Sequence, residues 1–271
     1  LTKYHFFLTF HFSEFLPMRT ILTTLAVMLL TSTFAIAQSD DAVLKAKDAV
    51  QKAAITGDAT ALKAARELAQ TVVSQMTESN KKAAALYFVG YAHYSLVNLP
   101  SEKASSEQSA DAGITALEEA VKLYPAFADA HALLGSLYGQ KAGGGMMAGM
   151  KYGQKSAVTM ERAITLQPKN PRILMLEGIS LYFKPAMWGG DKQKALANLQ
   201  RACDLAEQGA CAAKEATMPD WGHADVFAWK GMMFAKEEDI DNAKAAYERA
   251  LQVQPNYAWV KYVLLPKLSA K

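Results

Sequence analysis

The sequence predicts an all-α superhelical solenoid of about five antiparallel helix pairs plus a C-terminal capping helix. Three observations point there. One unit of small, aromatic and proline residues at helical spacing recurs along the chain. Half of the residues are hydrophobic and a fifth are charged, which suits a chain with a large core. The charges are interspersed, as in Lys45-Ala46-Lys47-Asp48 and Lys236-Glu237-Glu238-Asp239, in the manner of solvated helix faces.

The clearest unit runs Phe227-x2-Lys230-Gly231-x2-Phe234 and then Ala243-x3-Tyr247-x2-Ala250-x4-Pro255. Ala243, Tyr247 and Ala250 share one helical face, while Gly231 and Ala243 allow two helices to approach closely. Pro255 ends the second helix because it lacks an N–H and clashes with the preceding turn. A second copy reads Leu86-x2-Val89-Gly90-x2-His93 and Gly113-x3-Leu117-x2-Ala120-x4-Pro125. A third reads His131-x2-Leu134-Gly135-x2-Tyr138 and Ser156-x3-Met160-x2-Ala163-x4-Pro168. A fourth, Leu174-x2-Glu177-Gly178-x2-Leu181 and Ala195-x3-Leu199-x2-Ala202, has Glu207 where proline is expected. The stretch from Asp41 to Met76, split at Gly57-Asp58, has helix-turn-helix character and is read as a degenerate cap. The segment from Tyr257 to Leu268 is read as the closing helix.

These four units resemble the tetratricopeptide repeat, whose pattern sets a large residue, Leu-Gly, an aromatic, Ala, an aromatic, Ala and Pro over about 34 residues. Lys230 departs from the expected Leu. The resemblance implies a right-handed superhelix with a concave groove lined by the first helix of each pair. It further implies a protein or peptide partner held in that groove. Tyr87, Tyr91, Tyr94, Tyr138 and Tyr182 are the candidate aromatics of the groove or of the core beneath it.

At the N-terminus, Met18-Arg19-Thr20 leads into an apolar run from Ile21 to Ala35, and Ala35-Ile36-Ala37 before Gln38 is a small-x-small cleavage pattern. Residues 18–37 therefore read as a secretory signal, and 38–271 as the repeat domain. The run falls short of the roughly 20 apolar residues of a membrane span, so removal and not anchoring is expected. The first 17 residues lack an initial methionine and carry six aromatics in no recognisable element, which suggests a start site placed too early. The expected destination is a periplasm or the outside. In such an oxidising compartment Cys203 and Cys211 are a candidate local disulfide, with two inert thiols as the alternative.

The spacing also locates insertions. Gly231 and Ala250 stand at the separation expected without one, whereas Gly90 to Ala120, Gly135 to Ala163 and Gly178 to Ala202 are longer. Three successive pairs thus carry extra residues between their two helices, and equivalent loops of a solenoid line one rim. A polar stretch runs from Leu99 to Ser109, a glycine-methionine stretch from Gly143 to Met150, and a turn from Pro185 to Asp191 carries Trp188. A further insertion, holding Cys211, Pro219 and Trp221, lies on the opposite edge and reads as a bridge to the last pair.

Met146, Met147 and Met150 have two readings: a soft-metal site, or adaptable packing onto a helix pair, which the missing His or Cys beside them favours. No metal and no cofactor is expected. Trp188 is either a partner's anchor or a lid on its own repeat. Gly143 to Gly145 are not a phosphate loop, because no strand precedes them and no Gly-Lys-Ser/Thr follows. His93, His131 and His223 stand alone and read as structural. No nucleophile elbow, zinc-protease helix or acid pair is present, so no catalysis is expected. The near balance of charge makes no case for nucleic acid. The function expected is an exported interaction scaffold. The competing reading is a small-ligand carrier in which the insertions close the superhelix over an apolar channel, as in the tetratricopeptide-like accessory components of some solute transporters.

Overall fold

Short polar side chains begin the helices, and glycines turn the chain between them. Asp58 accepts from the amides of Thr60 and Ala61, Asn170 from Arg172, Asp191 from Lys194 and Asp239 from Asn242, so each satisfies donors that a helix N-terminus leaves free. Gly57 takes the left-handed conformation, with φ of +62°, between the first two helices. The computed structural model describes residues 39–269. The readings of 1–17 and 18–37 lie outside the described residues.

The described chain is helical and contains no strand. In order the helices are α1 (39–56), α2 (Ala59–Gln75), α3 (Ser79–Val97), α4 (Ser106–Leu123), α5 (Ala128–Ala142) and α6 (Met146–Leu166). There follow α7 (Pro171–Phe183), α8 (Lys192–Glu207), α9 (His223–Lys236) and α10 (Ile240–Val253). A π-helical turn, Val260–Leu264, runs into α11, Leu265–Ser269. Consecutive helices pair as α1/α2, α3/α4, α5/α6, α7/α8 and α9/α10. The first helices of successive pairs touch, α3 on α5, α5 on α7 and α7 on α9, and so form the inner layer of an all-α solenoid. The predicted pairs and closing segment are all present.

The small residues of the repeat do what their spacing predicts. A Cβ on Gly231 would lie 2.6 Å from the ring of Tyr247, and one on Gly90 would lie 2.5 Å from Leu117. Neither position has room for a side chain. Tyr247, Leu117 and Leu199 are buried at equivalent places of their second helices. Each second helix that meets a proline ends two residues before it: α4 at Leu123, α6 at Leu166 and α10 at Val253.

The insertions are spent differently. The stretch after Leu99 opens with a 3-10 helix, Pro100–Ser105, and the turn before α8 contains another, Ala186–Trp188. The glycine-methionine stretch, expected as a loop, is a loop only at 143–145. Met146, Met147 and Met150 belong to the first turns of α6, because once past Gly145 nothing in the sequence breaks a helix. They are 77%, 79% and 68% exposed and do not pack back on their own pair.

Two glycine substitutions report on this packing with opposite signs. Gly231→Ala forces a methyl group into Tyr247 and should destabilise by about 1–3 kcal/mol. Gly153→Ala, inside α6 with nothing within 4 Å of the new Cβ, should stabilise by roughly 0.5–1 kcal/mol. Urea midpoints of the two variants check both signs.

Candidate binding site

The concave side is built around Arg172, on the second residue of α7. Its Nε donates to Asp129 Oδ1 of α5 at 2.6 Å, and its Nη1 donates to the carbonyls of Cys211 at 2.8 Å and Trp221 at 2.9 Å. Both members of the ion pair are buried, with side chains 5% and 8% exposed. Asn170, which caps α7, donates through Nδ2 to both oxygens of Asp129, at 3.2 and 3.1 Å. Burial opposes the charge on Arg172, but the carboxylate beside it more than offsets this and raises its pKa.

The carbonyls that Arg172 holds belong to the segment between α8 and α9. Sequence reasoning takes this segment as a bridge; in the structure it folds across the inner layer. Lys47 of α1, itself 4% exposed, donates to Ala216 O at 2.9 Å and to Asp220 Oδ2 at 2.6 Å. Gln51 donates to Asp220 Oδ1 at 2.8 Å. Trp221 donates from Nε1 to the Tyr87 hydroxyl at 2.8 Å and stacks on Tyr91 with ring centroids 4.5 Å apart. Gly222 follows with φ of +107°, and a Cβ there would lie 2.7 Å from Arg172 Cγ, so only glycine passes this point freely. The segment therefore reaches α1, α3 and α7 directly and α5 through Arg172.

The chain's own residues thus cover the stretch of concave surface on which a partner's peptide is expected. Tyr87 is fully buried and Tyr91 nearly so, and desolvation raises the pKa of both. Tyr138 and Tyr182 are also buried and donate their hydroxyls to Glu118 and to Glu237, the latter at 2.5 Å. Of the five tyrosines singled out in the sequence, Tyr91 and Tyr94 line a cavity. Met146, Met147, Met150 and Trp188 lie away from it, exposed on α6 and on the turn before α8, with Trp188 56% exposed. Cys203 and Cys211 stand as free, buried thiols, and burial raises their pKa to about 12 and about 11. His93 is buried, and desolvation lowers its pKa to about 4, so it is neutral, as a structural histidine should be.

What remains open is a cavity of about 700 Å³ beside the covering segment. One wall is the Tyr91–Trp221 stack with Tyr94, from α3 and the segment. The other is Trp229, Tyr257 and Trp259, from α9 and the start of the closing segment. The Trp229 and Trp259 rings lie 4.9 Å apart. Residues of α1 complete the cavity, which joins the first helix pair to the end of the chain: a Cβ on Gly57 would come within 4.0 Å of Ala258. Asp225, in the first turn of α9, stands in the wall with Tyr257 donating to its Oδ1 at 2.8 Å. Three of the chain's four tryptophans reach this cavity. Among the described residues no group of three or more His, Cys, Asp or Glu could hold a metal ion, and no helix is long and apolar enough to cross a membrane.

Comparison with known proteins agrees with this architecture. The family model described as tetratricopeptide repeat matches residues 224–257, which span α9, α10 and the turn after them. A thermophilic tetratricopeptide-repeat protein of Thermus thermophilus superposes with a TM-score of 0.57 at 15% identity, covering 78% of this chain and 92% of its own. The fold is that of tetratricopeptide-repeat proteins. A chain of the APC/C hetero-tetramer Cut9–Hcn1 superposes with a TM-score of 0.50 at 16% identity, over 85% of this chain and 40% of that one. No curated protein sequence gives a significant match. A tetratricopeptide solenoid is in general a protein-interaction scaffold. In this one the inner surface is shared between the chain itself and an aromatic cavity.

The residues that sequence reasoning missed are Asp129, Arg172, Asp225, Trp229 and Trp259. Arg172 had a signal: it is the one charge ahead of the apolar run Ile173-Leu174-Met175-Leu176, all of it buried. Removing it leaves Asp129 buried without a cation. Arg172→Met should cost about 3–5 kcal/mol, more than Lys47→Met, because the carboxylate partner of Lys47 is half exposed. Denaturation midpoints of the two variants give the comparison.

Proposed function

We propose that this protein is an exported, non-catalytic binding scaffold that receives its partner in the aromatic cavity, the part of the concave surface that its own chain leaves open. The observation that carries this reading is the division of the inner surface: covered by 208–222 along α3 to α7, open between α1, α3, α9 and the closing segment. Export rests on the apolar run and cleavage pattern that end at Ala37.

Size decides what kind of partner fits. About 700 Å³ admits a chain end or a few side chains of a partner protein. The same volume lies within the usual range of small-molecule pockets, roughly 300–1,000 Å³, and this favours the small-ligand carrier as the second reading.

Native mass spectrometry of the protein recovered from its own cells separates these outcomes. The scaffold reading expects a mature mass beginning at Gln38 with a polypeptide bound, the complex lost in Trp229→Ala and kept in Trp188→Ala. A small molecule released on denaturation supports the carrier instead. An uncleaved, cytoplasmic chain contradicts export, and a complex lost in Trp188→Ala but not in Trp229→Ala moves the site to the outer rim.

A further inference from the structure

The cavity has a chemistry more specific than apolar. Its lining includes Tyr91, Tyr94, Trp221, Trp229, Tyr257 and Trp259. Aromatic faces are electron-rich and attract cations, most strongly where water is excluded. The wall also holds two carboxylates, and they are not equivalent. Asp220 is engaged by Lys47 and Gln51 from α1. Among the described residues Asp225 forms no ion pair; it accepts from the neutral hydroxyl of Tyr257 and from the backbone amides of Gly222 and of Asp225 itself. Arg172 lies near enough to act on Asp225, and three of its five N–H donors go to Asp129 and to two carbonyls.

The charge of Asp225 is felt across the cavity. Next to desolvation, its carboxylate is the largest influence on the hydroxyls of Tyr91, Tyr94 and Tyr257, and it raises the pKa of all three. The hydroxyl of Tyr257 ties that carboxylate to the aromatic cluster. Burial raises the acid's own pKa, against the hydrogen bonds and the Arg172 charge that lower it. Its position in the first turn of α9 accounts for part of its placement, since an acid there suits the helix N-terminus. That does not explain why aromatic rings surround it. Lys267, the one lysine of the lining, is exposed.

We propose that the cavity is a binding site for an organic ammonium group, seated between the Tyr91–Trp221 and Trp229–Trp259 walls with Asp225 as its counter-ion. This rests on the cavity being the binding site and adds the class of group that enters it. The ammonium belongs either to a free small molecule or to a methylated lysine side chain of a protein partner.

The test uses the full chain and the fluorescence of the cavity tryptophans. Choline and its uncharged isostere 3,3-dimethylbutan-1-ol have the same shape and differ in charge. The site should bind choline at least tenfold more tightly, and Asp225→Asn should abolish that preference. Trp229→Leu, which leaves Asp225 and Tyr257 in place, should weaken choline more than the alcohol and guards against a folding defect in the first variant. A capped peptide bearing one trimethyl-lysine, titrated alongside, distinguishes the sources: tighter binding than choline assigns the ammonium to a protein partner, and weaker binding assigns it to a free molecule. Equal affinity for choline and the alcohol overturns the cation assignment and leaves the cavity as a site for neutral ligands. Failure of all three probes overturns the assignment and removes support for the cavity as the site.

Discussion

A buried guanidinium is the constraint on which the concave side depends. Arg172 enters the interior at the start of an otherwise apolar helix, where an isolated charge would be prohibitively costly. Asp129 neutralises it, Asn170 holds Asp129, and the carbonyls of Cys211 and Trp221 take the donors of Nη1. Each group in this network needs the others. Lysine would not substitute, because a single ammonium cannot present donors in the planar fork that meets a carboxylate on one side and two carbonyls on the other. The consequence is a covering segment anchored to the helices beneath it.

From that anchor the rest of the concave surface follows. With Trp221 fixed by its carbonyl, its indole reaches Tyr87 and stacks on Tyr91, and Asp220 meets Lys47 and Gln51 of α1. The first pair of the solenoid is thereby tied to a segment that follows the fourth. The closing segment comes up to the turn at Gly57. The cavity is the space left where the covering stops, with its aromatic walls supplied by the segment on one side and by the last repeat on the other.

The helix pairs were legible in the sequence because their markers act locally. Gly231 against Tyr247, Gly90 against Leu117 and the prolines two residues past their helices are contacts within one unit, repeated. The rim was read less well. Glycines at 143–145 mark a turn, but how far the turn runs depends on where the next helix starts, and α6 begins at once with Met146. The site was the least legible part. Tyr87, Tyr138 and Tyr182 have the spacing of groove residues, yet Tyr87 is covered by Trp221 from the segment after α8, and Tyr138 and Tyr182 donate to Glu118 and Glu237, contacts that no local pattern encodes. Arg172 meets Asp129 across two repeats, and Asp225 meets Tyr257 across the last one. Contacts of that range become visible only when the chain is folded.

The central claim is that residues 208–222 are an integral part of the inner surface and not a loose bridge. Cys211 tests it directly, because its thiol is buried in that segment while Cys203 is buried inside α8. The measurement is the rate at which each thiol of the reduced, folded protein reacts with a neutral maleimide, followed by peptide mass spectrometry. The account predicts that Cys211 reacts as slowly as Cys203, both being released only as the solenoid unfolds. Rapid labelling of Cys211 in a protein whose Cys203 stays protected would show that the segment leaves the groove on its own, and would contradict the account.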